Sequence, residues 1–120
     1  AVMKGRLICA VAVVDSSIEA HMLDLLIYRL NAKMAPSDGE HTYMVCGKSC
    51  LAGDIFGEYP FERPLAIGDR LSFMDAAGYT MVKKNWFNGL KMPAIAVRQL
   101  DGSVELVREF GFDDYLSSLS

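Results

Sequence analysis

Residues 6–14 (Arg-Leu-Ile-Cys-Ala-Val-Ala-Val-Val) form an unbroken apolar run rich in β-branched side chains. Its length and composition predict a strand buried on both faces. The run ends at Asp15, and Ser16-Ser17-Ile18-Glu19 fits the S-x-x-E capping box of a helix start, so a short helix is expected from Ala20 to about Leu26. Beyond Tyr28, Leu30, Ala32 and Met34 alternate with Arg29, Asn31 and Lys33, which suits a half-buried strand and suits a continuing helix nearly as well. Pro36-Ser37-Asp38-Gly39 is a turn, and Thr42-Tyr43-Met44-Val45-Cys46 a second strand. The two prolines of residues 59–64 predict a surface connection. Residues 67–73 read as a turn feeding a strand with Leu71 and Phe73 inward, and Ala76-Ala77-Gly78-Tyr79 as a tight loop. Residues 94–100 and 104–108 are strands joined at Asp101-Gly102, the pattern of a type I′ hairpin turn, and residues 112–116 a terminal helix capped by Asp113. Strands separated by turns, with one or two short helices, predict one mainly β domain over residues 1–120, a barrel or sandwich.

Composition changes this picture in one respect. The 52% hydrophobic content and mean hydropathy of +0.20 are high for a small soluble domain. No apolar run approaches the roughly 20 residues of a membrane helix, so the excess points to a surface covered by something else. A net charge of −3 argues against nucleic-acid binding. Cys9, Cys46 and Cys50 form no C-x-x-C pair, which suggests neither a zinc site nor a disulfide framework and fits a reducing, cytoplasmic setting. The N-terminus lacks the apolar core of a signal peptide. The absent initiator methionine fits a processed or truncated chain, and equally ordinary methionine removal.

The stretch Gly47-Lys48-Ser49-Cys50-Leu51-Ala52-Gly53-Asp54 places a thiol and a carboxylate four residues apart in a loop with glycine at both ends. Such a backbone can approach a ligand closely. A cysteine there is either a proton donor or nucleophile, or a small buried hydrophobe. Asp54 either holds a cationic group or binds backbone amides of its own loop. Asp15 at a strand end is either solvated or a counter-charge for an amine. Glu19 completes the capping box or meets substrate, and His21 is a packed histidine or a ligand. Tyr79 is an aromatic anchor beside a turn.

Three motifs in order, Gly47-x-x-Cys50-x-x-x-Asp54, Ala77-Gly78-Tyr79-Thr80 and Phe87-Asn88-Gly89, resemble the C-terminal domain of the alanine-racemase-fold decarboxylases that use pyridoxal 5'-phosphate. Ser49-Cys50-Leu51-Ala52-Gly53-Asp54 and Ser17-x-Glu19-Ala20-His21-Met22 most resemble the branch acting on carboxynorspermidine or carboxyspermidine. The resemblance runs from about Asp15 to about Pro93. It implies a β-barrel domain mounted on an N-terminal α/β barrel, within a homodimer that makes norspermidine or spermidine. By the same resemblance Cys50 crosses to the partner subunit's cofactor and donates the proton that replaces carbon dioxide. Tyr79 contacts the cofactor phosphate, and Asp15, Glu19 and Asp54 are substrate or interface carboxylates. The 85–89 loop lies close to the active site. Ornithine and diaminopimelate decarboxylases place an acidic residue directly after the cysteine; Leu51 departs from that pattern. The lysines here match no cofactor-bearing position and no glycine-rich phosphate loop is present, so the chain supplies half an active site. The rivals are a non-catalytic decarboxylase-like interaction domain and another decarboxylase of the same fold.

Overall fold

The computed structural model describes residues 10–119 in full and, before them, the strand backbone of residues 2–3 and 6–7. In chain order, β1 (Val2–Met3), β2 (Arg6–Leu7) and β3 (Ala10–Val13) precede α1 (Ile18–His21) and α2 (Leu23–Ile27). Next come β4 (Lys33–Met34), β5 (His41–Cys46), β6 (Ile55–Phe61) and β7 (Phe73–Met74). Helix α3 (Gly78–Lys83), a 3-10 turn at Phe87–Gly89, β8 (Ile95–Arg98), β9 (Val104–Arg108) and α4 (Phe112–Ser118) complete the order. The domain is mainly β. Among the described residues its strands form four small sheets and no closed barrel: β1-β2, β3-β5-β6, β4-β7 and β8-β9.

The three-stranded sheet carries the site. β3 runs parallel to β5, Ala10 opposite Tyr43 and Val13 opposite Cys46, while β6 pairs antiparallel on the other side of β5. On its inner face Ile18, Met22, Ala32, Val45 and Phe56 form the buried core, with Leu71 and Phe73 packed against it. Phe56 and Phe73 stack at 4.9 Å. The Tyr59 hydroxyl donates to the Phe56 carbonyl at 2.7 Å and lies against that of Ala32. A second aromatic group, Trp86 with Phe110 and Tyr115, fastens α4 to the chain.

Several expectations are corrected. Within the 6–14 run, β3 is not buried on both faces: among the described residues it is an edge strand with nothing covering its outer face, and Val11 and Val13 are 57% and 68% exposed. Cys9 lies outside the described residues. Residues 59–61 are not a connection but the end of β6. Pro60, opposite Thr42, is tolerated because β6 is an outer strand whose outward amides make no ladder bonds. The first helix is capped by Ser17, whose hydroxyl accepts from the Ala20 amide at 3.1 Å, which leaves Glu19 one place short of closing a capping box. Helix α2 ends at Ile27, and of the alternating stretch beyond it only Lys33–Met34 is a strand. Gly78 and Tyr79 open α3 instead of lying in a loop. The β8–β9 hairpin forms as expected, but only Gly102 has positive φ. Gln99 donates to Ser103 O at 2.8 Å, closing a three-residue loop in place of a type I′ turn. At α4, Asp114 and not Asp113 caps, accepting the Gly111 amide at 2.8 Å.

Candidate functional site

The 47–54 loop joins β5 to β6, and its shape comes from Asp54. Gly47 N–H donates to the Asp54 carbonyl at 2.8 Å, and Asp54 N–H to that of Leu51 at 3.0 Å. The Asp54 side chain turns inward and is 3% exposed. Its Oδ1 accepts the Ile18 amide at 2.7 Å; its Oδ2 accepts the Ser17 hydroxyl at 2.8 Å, the Ser49 amide at 3.1 Å and the Ser49 hydroxyl. Burial works to raise the pKa of this carboxyl, but the bonds from Ser49, Ser17 and Ile18 together outweigh it and hold the group below the usual carboxylate range. One carboxylate therefore ties the cysteine loop to the start of α1, and Lys48 N–H to Ser16 O at 3.0 Å adds a second tie.

The two glycines differ in why they are there. A Cβ on Gly47 would stand 2.3 Å from Asp54 Oδ1, whereas one on Gly53 would meet nothing within 4 Å. Only Gly47 is required by space. Between them, Cys50 is exposed at the crest, and Leu51 beside it is also exposed. From the other side the Cys50 amide donates to Asn88 Oδ1 at 2.8 Å. The 85–89 segment is in turn bound to α1: Asn85 N–H donates to Ala20 O at 2.8 Å and its Nδ2 to Glu19 O at 3.2 Å.

Behind the loop, α1 presents two poorly solvated ionisable groups. Glu19 Oε2 has no hydrogen-bond partner among the described residues. Burial raises its pKa, opposed by Asn85 and reinforced by the charge of Asp54. His21 is 7% exposed; its Nδ1 shares a 2.9 Å hydrogen bond with Ser16 Oγ and its Nε2 has no partner among the described residues. Burial pushes the imidazole pKa down, against the nearby Lys91 carbonyl, with Lys48 lowering it further and Asp54 and Asp15 raising it.

Asp15 and Tyr79 stand apart from this network. Asp15 is exposed at the bend after β3 and lines a cleft with residues 65–73. Tyr79 is 73% exposed; Thr80 beside it is buried and donates to Asp24 Oδ2 at 2.9 Å, so α3 is pinned through Thr80 with Tyr79 outward. Lys83 Nζ lies 5.4 Å from the Tyr79 ring centroid, and no described residue bonds the phenol hydroxyl. Thus Cys50, Asp54, Glu19 and His21 share one connected network, while no hydrogen bond or ring contact links Tyr79 or Asp15 to Cys50. Sequence reasoning missed Asn88 as a partner of Cys50 and Ser17 and Ser49 as partners of Asp54. The only signal was hydroxyl and amide residues flanking both motifs. Among the described residues no group of His, Cys, Asp and Glu could hold a metal ion, and no helix is long and apolar enough to cross a membrane.

The Tyr79 phenol and the Cys50 thiol are thus both exposed, the thiol on a loop braced from within. The family described as "Pyridoxal-dependent decarboxylase, C-terminal sheet domain" matches residues 5–77, which takes in the Cys50 loop and stops short of Tyr79. The chain is 71% identical over 109 residues to the carboxynorspermidine/carboxyspermidine decarboxylase of Herminiimonas arsenicoxydans, covering 91% of this chain and 30% of that protein. It is 46% identical over 112 residues to the carboxyaminopropylagmatine decarboxylase of Synechocystis, covering 90% and 29%. Among solved structures, carboxynorspermidine decarboxylase of Campylobacter jejuni, complexed with norspermidine, superposes with a TM-score of 0.83 at 32% identity, over 90% of this chain and 34% of that one. The chain thus spans about a third of the length of the relatives it matches. It belongs to the pyridoxal-dependent decarboxylase family, as that family's C-terminal sheet domain.

Proposed function

We propose that this chain is the C-terminal domain of a cytoplasmic, homodimeric decarboxylase that converts carboxynorspermidine or carboxyspermidine to norspermidine or spermidine and carbon dioxide. An N-terminal α/β barrel and a second subunit complete its active site. The observation that carries this reading is the exposed Cys50 on a loop braced by a buried carboxylate, in a chain so similar to decarboxylases of that substrate class. Pyridoxal phosphate, bound mainly by the barrel, supplies the electron sink that allows the carboxylate to leave as carbon dioxide.

This chain's residues do the rest. The exposed Cys50 thiol gives its proton to the substrate carbon that has lost carbon dioxide. The Tyr79 hydroxyl donates to the cofactor phosphate. Leu51 meets an apolar stretch of the polyamine. Asp15 and Glu19 offer negative charge to its ammonium groups. Asp54, with both oxygens engaged within the chain, acts by holding the loop and not by touching substrate.

Substitution of Cys50 in the assembled enzyme is the test. Cys50→Ala is expected to lower kcat by about 10²–10⁴-fold, the usual worth of general acid catalysis, with folding and cofactor content kept. The fraction of aldehyde product should rise, because the thiol would no longer direct the proton to the substrate carbon. Normal turnover with only amine product would remove the proton-donor role and favour a non-catalytic domain.

A further inference from the structure

We propose that Asn88 is a positioning residue for the Cys50 thiol; the inference rests on the proton-donor reading above. Asn88 has φ 58° and ψ 15°, in the left-handed region that disfavours residues with a Cβ. Asparagine tolerates this conformation, but glycine adopts it at less cost. A turn that needed only the backbone shape would be served best by glycine, as the next residue, Gly89 at φ +66°, shows. The asparagine brings a carboxamide, and its oxygen is spent on one bond: 2.8 Å to the amide of Cys50, 38 residues earlier.

The turn itself does not need that bond. Asn85 Oδ1 accepts the Phe87 amide at 2.8 Å, Gly89 N–H donates to Trp86 O at 2.7 Å, and Leu90 N–H to Phe87 O at 3.2 Å. Asn85 N–H to Ala20 O fastens the whole segment to α1. The cysteine loop does need it. Asp54 grips that loop through both donors of Ser49 and through its own backbone link to Leu51, but not through residue 50. Among the described residues, Asn88 is the partner of the Cys50 backbone amide. It thereby fixes the peptide plane from which the thiol projects. A proton donor displaced by even a fraction of an ångström loses much of its advantage over competing proton sources.

The test compares Asn88→Gly, Asn88→Asp, Cys50→Ala and the Asn88→Gly/Cys50→Ala double variant of the complete enzyme. Asn88→Gly keeps the left-handed turn and deletes the carboxamide; Asn88→Asp keeps an acceptor oxygen. With Asn88→Gly, kcat should fall roughly tenfold, as expected for the loss of one orienting hydrogen bond, with KM and cofactor content near those of the parent. The aldehyde fraction should move towards that of Cys50→Ala, and the double variant should be no worse than Cys50→Ala alone. In the cofactor-free protein, hydrogen exchange of the peptide containing residues 47–54 should speed up in Asn88→Gly and stay slow in Asn88→Asp. Should the glycine variant not fold, Asn88→Ser, whose hydroxyl is too short to reach the Cys50 amide, takes its place. Glycine and aspartate variants with the same product ratio would overturn the positioning role while leaving the proton-donor reading standing. A parental product ratio in Cys50→Ala would overturn both.

Discussion

A single buried carboxylate and a single buried imidazole set the chemistry of the loop, and each answers to pH in its own window. Asp54 is ionised in the fold, with its pKa below that of the unfolded chain, so its stabilisation is complete above about pH 4 and drains away as pH falls through the folded value. Asp54→Asn puts an amide where donors now converge. It should cost about 2–4 kcal/mol in denaturant unfolding, the range for breaking a buried charge-assisted network. A loss under about 0.5 kcal/mol, within the usual surface range, would show that the brace is dispensable. His21 is held neutral by burial, with its pKa below the unfolded reference of about 6.5. Its contribution is complete above that pH and is lost as acid charges the unfolded ring in preference to the folded one. Stability should therefore decline as pH falls through about 6.5, and His21→Gln should flatten that segment of the curve. A parent and variant with parallel pH profiles would show that the ring titrates alike in both states. Both readings of Asp54, loop carboxylate and external contact, were open in the sequence. Two of its partners, Ser17 and Ile18, lie 37 and 36 residues away, beyond the reach of a local pattern.

The elements show where pattern reading succeeds. Strand β5 and the β8–β9 hairpin follow from β-branched residues and turn chemistry, because both are local signals. Strand β6 was hidden by Pro60, which reads as a break unless one knows that β6 lies at the sheet margin. Helix α3 was hidden by glycine at its first position, Gly78, which reads as a turn until Thr80 finds Asp24 56 residues earlier. The loop between β5 and β6 offers a test at this scale. Gly47→Ala pushes a methyl group into the Asp54 carboxylate and should destabilise the fold by at least 1–3 kcal/mol, as overpacking generally does. Gly53→Ala, facing open space, should be neutral to within about 0.5 kcal/mol. Urea unfolding of the two variants reads the difference directly, and equal midpoints would mean that the loop re-forms without its brace.

At the scale of the molecule, burial is incomplete. The chain exposes 8684 Å², against about 6,400 Å² for a compact monomer of its mass. Its radius of gyration is 16.0 Å, where about 13.6 Å is usual for its length. Val11, Val13, Ile67, Tyr79, Val82 and Phe112 contribute to the excess. The roughly 2,300 Å² difference is the size of a substantial protein interface. The isolated chain is expected to self-associate, with sedimentation velocity showing concentration-dependent mass at micromolar levels; an ideal monomer throughout that range would mean the apolar surface needs no cover. The hydrophobic excess in the composition had pointed to such a surface, but the pattern did not say which residues form it, since that depends on which sheet faces lack a second layer. The parallel pairing of β3 with β5 has a consequence in time. A ribosome that has finished β3 must still make roughly 30 residues before β5 is complete, which at about 5–20 residues per second takes on the order of 2–6 s. For that interval a nascent valine-rich strand has no partner in its own sheet, and its safe passage falls to whatever holds it at the exit port.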